Sequence, residues 1–256
     1  MNKIKVGFFS ITEADDDEAH VAWHQLDHMC EQFRIQGLSW GQRFFATPAC
    51  VETSAHRAGP MGAATHLQHY LLERASALGE FTALGHELVG NGRFRPATAA
   101  HLQAPFQLVE TLAAPRVLVT PEALAYRPNH GVYLLVERVT DPTRIAAWRR
   151  EQHVEHVPRL LSVPGVAGLW SYTAEPLPQL EQGPYGIPAS PNQISVLYLD
   201  DDPVAASEAL RAGVASRWED APVEPLLAGA FRSFFPPPAR WCLPDDEWAA
   251  RAGKET

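Results

Sequence analysis

Trp23-His24-Gln25-Leu26-Asp27-His28-Met29-Cys30-Glu31-Gln32-Phe33-Arg34-Ile35-Gln36-Gly37 and Glu151-Gln152-His153-Val154-Glu155-His156-Val157-Pro158-Arg159-Leu160-Leu161-Ser162-Val163-Pro164-Gly165 are two versions of one pattern. In each, an acid precedes a histidine, a mostly apolar helical run follows, and a glycine closes it. His28 to Gly37 and His156 to Gly165 have the same spacing. A repeat on this scale is sought first because it fixes the architecture.

Outward from the first copy, Val6 to Ile11 reads as a strand, and the acidic stretch Thr12–Asp17 suits a helix N-terminus. Ala22, Leu26, Met29 and Phe33 recur at helical spacing, and Gly37 caps the run. Ser39–Thr47 reads as a strand, Pro48 to about Gly62 as a loop, and Thr65–Leu72 as a strand. A helix capped by Ser76 runs to about Val89, and His101–Leu112 supplies a fourth strand. The second copy repeats the order. Gly131–Val139 is a strand, Asp141-Pro142 starts a helix reaching about Val163, and Val166–Thr173 is a strand. A Pro/Gly loop, Pro176–Pro191, leads to the strand Gln193–Leu199. Asp202-Pro203 starts a helix ending near Trp218, and Leu226–Phe235 is the last strand. The expected division is a first half at 1–114, a connection at 115–130, a second half at 131–236 and a tail at 237–256. The tail's Trp241 and Trp248 are expected to pack back onto the body.

Two βαββαβ units in tandem make an α+β chain of ferredoxin-like halves. Each half would form a four-stranded antiparallel sheet with helices on one face, and the two bare sheet faces would pack together within the chain.

The bulk composition limits the partners. The 256 residues are 46% hydrophobic and 20% charged, with a formal net charge of −9 and no basic cluster. That composition fits a globular core and argues against nucleic acid. Cys30, Cys50 and Cys242 show no CxxC spacing, which points to a reducing, cytoplasmic setting. The start, Met1-Asn2-Lys3-Ile4-Lys5, reads as the lead into a strand, and no apolar run is long enough to span a membrane.

Glu155-His156-Val157-Pro158, with Leu160 and Pro164-Gly165 behind it, resembles the Glu-His-x-Pro signature of the EthD-like branch of the dimeric α/β-barrel superfamily, here in a fused two-repeat form. The first half keeps Asp27-His28 and Gly37 but has Cys30 in place of the proline. The resemblance implies an intramolecular α/β barrel. It also implies a range of activities: cofactor-free monooxygenases, cyclases, isomerases, lyases, haem proteins and members without activity. Fold alone does not choose among them.

The candidate site residues follow from residue type and placement. His28 and His156, near the ends of equivalent helices, could move a proton near neutral pH. Their recurrence fits a structural helix-end role equally well. Arg43, on the strand face shared with Phe45, could hold an oxyanion, and Tyr172 could hydrogen-bond a substrate oxygen. Trp23, Trp40 and Trp170 are expected to wall the pocket, with His69 reaching in alone, since His66 and His69 face opposite ways on a strand. His24 and His28 share a helix face, as do His153 and His156, but neither pair has a third ligand at a recognised spacing, so no metal is expected. Gly37-Leu38-Ser39-Trp40-Gly41 fits the G-x-S-x-G pattern, yet the order helix-then-strand is the wrong context for a nucleophile elbow. Gly90-Asn91-Gly92 is a turn, not a dinucleotide fingerprint.

These residues point to a cofactor-independent enzyme that acts on a hydrophobic, aromatic or polyketide-like small molecule through histidine acid/base chemistry, with the richer pocket in the first half. A haem-binding barrel of the chlorite dismutase or peroxidase kind and a non-catalytic small-molecule-binding module are the alternatives, and a homodimer is possible.

Overall fold

The computed structural model describes residues 3–13, 17–94, 99–174 and 192–234. The loop at 176–191 and the tail with Trp241 and Trp248 lie outside them. The first half contains β1 (Val6–Glu13), α1 (Asp17–Trp23), α2 (Met29–Gln32), β2 (Leu38–Phe45), α3 (Pro48–Glu52), β3 (His56–Arg57), β4 (His66–Leu72), α4 (Ala77–Gly90) and β5 (Ala99–Ala113). The second contains β6 (Gly131–Val139), α5 (Ile145–Glu151), α6 (Val157–Leu161), β7 (Val166–Thr173), β8 (Asn192–Leu199), α7 (Pro203–Ser216) and β9 (Val223–Ser233). Leaving out the short α3 and β3, both halves run strand, helix, strand, strand, helix, strand.

The expected pair of stacked sheets is replaced by one sheet of nine strands in the order β2-β4-β1-β5-β7-β8-β6-β9-β3, which also pairs β2 with β9. All of these pairings are antiparallel. The sheet therefore closes into a ring. Two seams join the halves: β5 with β7, from Gln107↔Thr173 to Ala113↔Gly168, and β9 with both β2, at Phe44↔Ser233 and Phe45↔Arg232, and the short β3, at His56↔Ala228 and Arg57↔Leu227. Stacked sheets would leave two pairs of open edges. Pairing those edges across the halves satisfies their backbone groups instead.

Strand alternation divides the side chains between two environments. In β1 and β4, Val6, Phe8, Tyr70 and Leu72 pack with Met29, Leu78 and Phe81 of the helices. Their neighbours Phe9, Ile11, Leu67 and Leu71 belong to the larger cluster that includes Phe106, Trp170, Tyr172 and Tyr198. That second set fills the inside of the ring.

The repeated motif forms the same local structure twice. α1 passes into α2 through a π-helical turn, His24–His28, and α5 passes into α6 through another, Gln152–His156. In each, a backbone N–H reaches five residues back: Met29 to the His24 carbonyl and Val157 to the Gln152 carbonyl. In the second half Pro158 has no N–H to continue an α-helical ladder, which favours such a turn. In the first half Cys30 stands there, and its Sγ lies 3.5 Å from the Gln25 carbonyl oxygen. Gly37 and Gly165 both follow with positive φ, 96° and 85°, the conformation that ends these helices cheaply only at glycine.

The caps differ in detail from expectation. Asp202 accepts from the Ala205 N–H as a true N-cap of α7. Asp141 instead holds the backbone and hydroxyl of Thr143 in the turn ahead of α5, and Ser76 makes no side-chain cap. No helix among the described residues is long and apolar enough to cross a membrane.

Candidate functional site

The histidines of the first motif lie between helix and sheet. The π-helical turn directs His24 and His28 inward, and both are buried. Asp27, the acid of the motif, is exposed. The His28 ring stacks on Trp23 with centroids 4.9 Å apart and planes 14° apart, and it meets Phe94 edge-on. The His24 and His28 centroids are 5.5 Å apart. His24 Nε2 is 2.8 Å from Tyr70 Oη, and His28 Nε2 is 3.0 Å from Gln32 Nε2. The Nδ1 atoms of both histidines are buried and meet no hydrogen-bond partner among the described residues. Buried polar atoms in that state are rare, and they mark where a ligand or water would bind.

A chamber of about 50 Å³ sits against these rings, lined also by Phe8, Ser10, Thr12, His20, Gln68 and Phe81. A cleft of about 290 Å³ adjoins it, lined by Trp23, Asp27, His28, Glu31, Leu88 and Arg93. Trp23 and His28 belong to both, so His28 stands where the cleft meets the chamber. Trp23 Nε1 donates to the Arg93 carbonyl, and Arg93 pairs with Glu31 on the cleft wall.

Burial pushes the His28 imidazole down to about 4; Glu31 opposes that shift and Arg43 reinforces it. Burial also holds His24 well below the usual imidazole range, helped by Arg43, His28, His20 and His66. Both rings are therefore neutral near pH 7. Arg43 itself does not reach the chamber. It is fully buried in β2 beneath it. With the Gln68 amide turned so that both its ends are satisfied, Gln68 accepts from both Arg43 Nη atoms, at 3.0 and 3.1 Å, and donates to Ser10. Arg43, expected to face an oxyanion, directs both Nη atoms at Gln68, and its charge acts on the histidines through space.

Four other expected site residues occupy a different place. His69, Trp40, Trp170 and Tyr172 point into the ring of strands, away from the helix-side pocket. His69 stacks on Phe9 at 4.2 Å and meets Tyr172 edge-on. Burial alone pushes His69 down to about 3. Trp170 donates to the Pro121 carbonyl and packs against Tyr198, while Trp40 packs against Tyr126. Burial pushes the Tyr172 hydroxyl well above its ordinary value. The faces were assigned correctly by alternation, but ring closure makes that face a packed core. Ser39, the centre of the G-x-S-x-G match, donates to Glu73 Oε1 at 2.7 Å in the strand.

The second half differs at the equivalent place. His156 is only half-buried and does not line the cavity, and Gln152 stands where the first half has His24. This half has a cavity of its own, about 300 Å³, between α5, α6 and the sheet. His153 lines it, with Nδ1 2.7 Å from Glu110. On its wall, Arg217 Nε donates to Gln152 Oε1 and its Nη2 is 3.4 Å from the buried Glu137 carboxylate. Glu137 also accepts from Gln193 and from Trp218 Nε1. Sequence reasoning missed Tyr70, Gln32, Arg149 and Arg217. Tyr70 could have been found, since it shares a strand face with His66 and Gln68. The arginines carry no local signal, because helix and sheet converge on them only in three dimensions. Among the described residues no three His, Cys, Asp or Glu converge as a metal-binding set.

Neither a protein-family model nor a curated protein matches the sequence. Solved structures do resemble it. An anthrone oxidase-like protein aligns over 91% of this chain and 95% of its own at 13% identity, with a TM-score of 0.48. Chlorite dismutase from Candidatus Nitrospira defluvii, in complex with imidazole, aligns over 90% and 91% at 11% identity and 0.48. A protein from Lactobacillus acidophilus NCFM, provisionally assigned as a monooxygenase, aligns over 90% and 93% at 9% identity and 0.44. At these identities the likeness concerns the fold alone.

Proposed function

We propose that the first-half pocket is the active site of an enzyme that moves a proton on an apolar, aromatic or polyketide-like small molecule. Isomerisation, cyclisation, lysis and cofactor-free oxygenation all begin with such a step. The observation that carries this reading is the pair of buried neutral imidazoles, His24 and His28, whose Nδ1 atoms have no partner among the described residues.

Each ring has a distinct role. The Gln32 amide nitrogen donates to His28 Nε2, so the neutral His28 ring carries its proton on Nδ1. A neutral imidazole N–H can stabilise a developing enolate or phenolate oxygen. Tyr70 Oη and His24 Nε2 form a hydrogen bond in which either can donate. In the neutral tautomer with the proton on Nε2, His24 donates to the Tyr70 oxygen, the phenol keeps its own hydrogen, and Nδ1 is a lone pair able to accept a substrate proton. Burial keeps both uncharged, and Arg43 behind them adds to that effect. Trp23 and Phe94 supply an aromatic wall, and the 290 Å³ cleft admits the body of the substrate as far as His28.

In the same reading the chain is two copies of one βαββαβ unit, related to the EthD-like branch through Glu155-His156-Val157-Pro158. The matching π-helical turns support it. The second copy has exchanged His24's counterpart for Gln152 and has given up the imidazole pair.

The test is a panel of enolisable aromatic ketones, β-diketones and phenols incubated with the protein, with products followed by mass spectrometry. At least one member should be converted. His28→Ala and His24→Phe should each lower that turnover a hundredfold or more while the folded far-UV spectrum is retained. A panel left intact by the wild-type protein, or variants as active as the wild type, would refute the proposal.

A further inference from the structure

The second-half cavity lies apart from the histidine pair, between α5, α6 and the sheet. Its charged groups are engaged or solvated. Arg217 Nη2 is 3.4 Å from the buried Glu137 carboxylate, and His153 Nδ1 is 2.7 Å from Glu110. Arg149 donates to Gln193 Oε1 and to Thr173 Oγ1. Arg150 is exposed at the mouth, where water solvates its charge. The hydroxyls of Ser171 and Ser195 lie 3.4 Å apart and bond to each other. The cavity therefore makes no demand for a charged ligand.

One polar group on its wall is left over. Gln152 is only 6% exposed and lines the cavity. Its Oε1 accepts from Arg217 Nε at 2.9 Å. A guanidinium has no acceptor, so this contact decides which end of the amide is which: the oxygen faces Arg217 and the nitrogen is the free end. Arg217 is itself held by Glu137 and lies 5.4 Å above the Trp148 ring, which fixes the amide in that orientation. The π-helical turn Gln152–His156 turns this side chain inward, as the first turn does His24. Gln152 Nε2 donates to nothing among the described residues, yet it is not sealed within the protein, and it opens on the cavity. A fixed donor without a partner in a poorly hydrated site favours a ligand that brings an acceptor. Around it the walls are apolar: Val109, Trp148, Val157 and Leu169. A volume of about 300 Å³ with apolar walls and one placed donor fits a small molecule.

We propose that this cavity binds a neutral aromatic carbonyl compound, its ring against Trp148 and Leu169 and its carbonyl oxygen accepting from Gln152 Nε2. This goes beyond the proton-transfer reading and does not depend on it. Gln152 stands where the first half has His24, and an amide holds a carbonyl without exchanging a proton with it. The cavity is then a holding site and not a second catalytic one.

Isothermal titration of the full-length protein tests the proposal with three ligands: 1-tetralone, tetralin, which lacks the carbonyl, and the anion 1-naphthoate. Tetralone should bind at submillimolar concentration and at least tenfold more tightly than naphthoate. Gln152→Glu keeps an acceptor for Arg217 but has no hydrogen to give, and Gln152→Met has neither. Each should lower the ratio of tetralone to tetralin affinity by about tenfold. Leu169→Phe, which narrows the cavity, should weaken both neutral ligands tenfold or more in a protein that still melts cooperatively. His24→Phe, in the other pocket, should leave both within threefold of the wild type. No binding of tetralone at millimolar concentration, naphthoate bound as tightly as tetralone, or an unchanged ratio in the Gln152 variants would each overturn the proposal. So would tetralone binding that is lost in His24→Phe or kept in Leu169→Phe.

Discussion

Lowering the pH from 7 to 5 should strip about 4 kcal/mol from the stability of this protein through two buried imidazoles alone. His28 and His69 lie in different compartments, one under the first helix and one inside the ring of strands. Burial holds them at about 4 and about 3, against an ordinary value of 6.5. In the unfolded chain both regain that ordinary value. Between pH 6.5 and 4 the unfolded state therefore binds more protons than the folded one. Stability is complete above 6.5 and is lost as the pH falls toward the folded values. At pH 5 each unfolded ring is almost fully protonated and each folded ring is still neutral. The gap of one and a half pH units at about 1.4 kcal/mol per unit gives about 2 kcal/mol for each histidine. His24, also pushed down by burial, adds in the same direction. Carboxylates titrate mainly below this window and contribute little to it. Total stabilities of domains run from about 5 to 15 kcal/mol, so the loss is a large share. Urea unfolding followed by tryptophan fluorescence at pH 7, 6 and 5 measures it as a falling midpoint at constant slope. His69→Leu puts an apolar side chain of similar size beside Phe9 and should abolish about half of the loss. A wild-type midpoint that stays level from pH 7 to 5, or a His69→Leu protein as acid-sensitive as the wild type, would refute the reasoning.

The same shifts set the expected pH profile of the proposed activity: level from about pH 5.5 to 8 and falling as His28 protonates near 4, with no inflection near 6.5, as initial rates across that range would show. Glu137→Ala leaves Arg217 buried without its carboxylate, and chemical denaturation should register a loss of about 3 to 5 kcal/mol. Gly168→Ala should lower the melting temperature sharply. Its new methyl would come within 2.4 Å of the Leu112 carbonyl oxygen and 2.3 Å of Leu124 Cδ1, at the β5–β7 seam, a clash worth at least about 1 to 3 kcal/mol.

The order of elements was legible in the sequence because period-2 and period-3.6 patterns are local properties. β6 and β7 begin and end where their alternation places them. The glycines at 37 and 165 mark helix ends because only a local backbone conformation is involved. The face on which each strand residue lies was legible too, His66 against His69 being the clearest case. What each face meets is not a local property. Whether His69, Trp40, Trp170 and Tyr172 would see a ligand or a core depended on edge pairing between β5 and β7 and between β2 and β9, partners far apart in the chain. Once those edges paired, the inner faces became a packed interior, and the cavities described above lie under the helices. There, Arg43 fell beneath Gln68, Tyr70 reached His24, and Arg217 came up against Gln152 and Glu137. Periodicity thus determines which residues share a surface, since that depends on neighbours in sequence. Tertiary closure decides which surfaces become core and which become cavity, because hydrogen-bonded edges and excluded volume act between segments that no spacing in the chain connects.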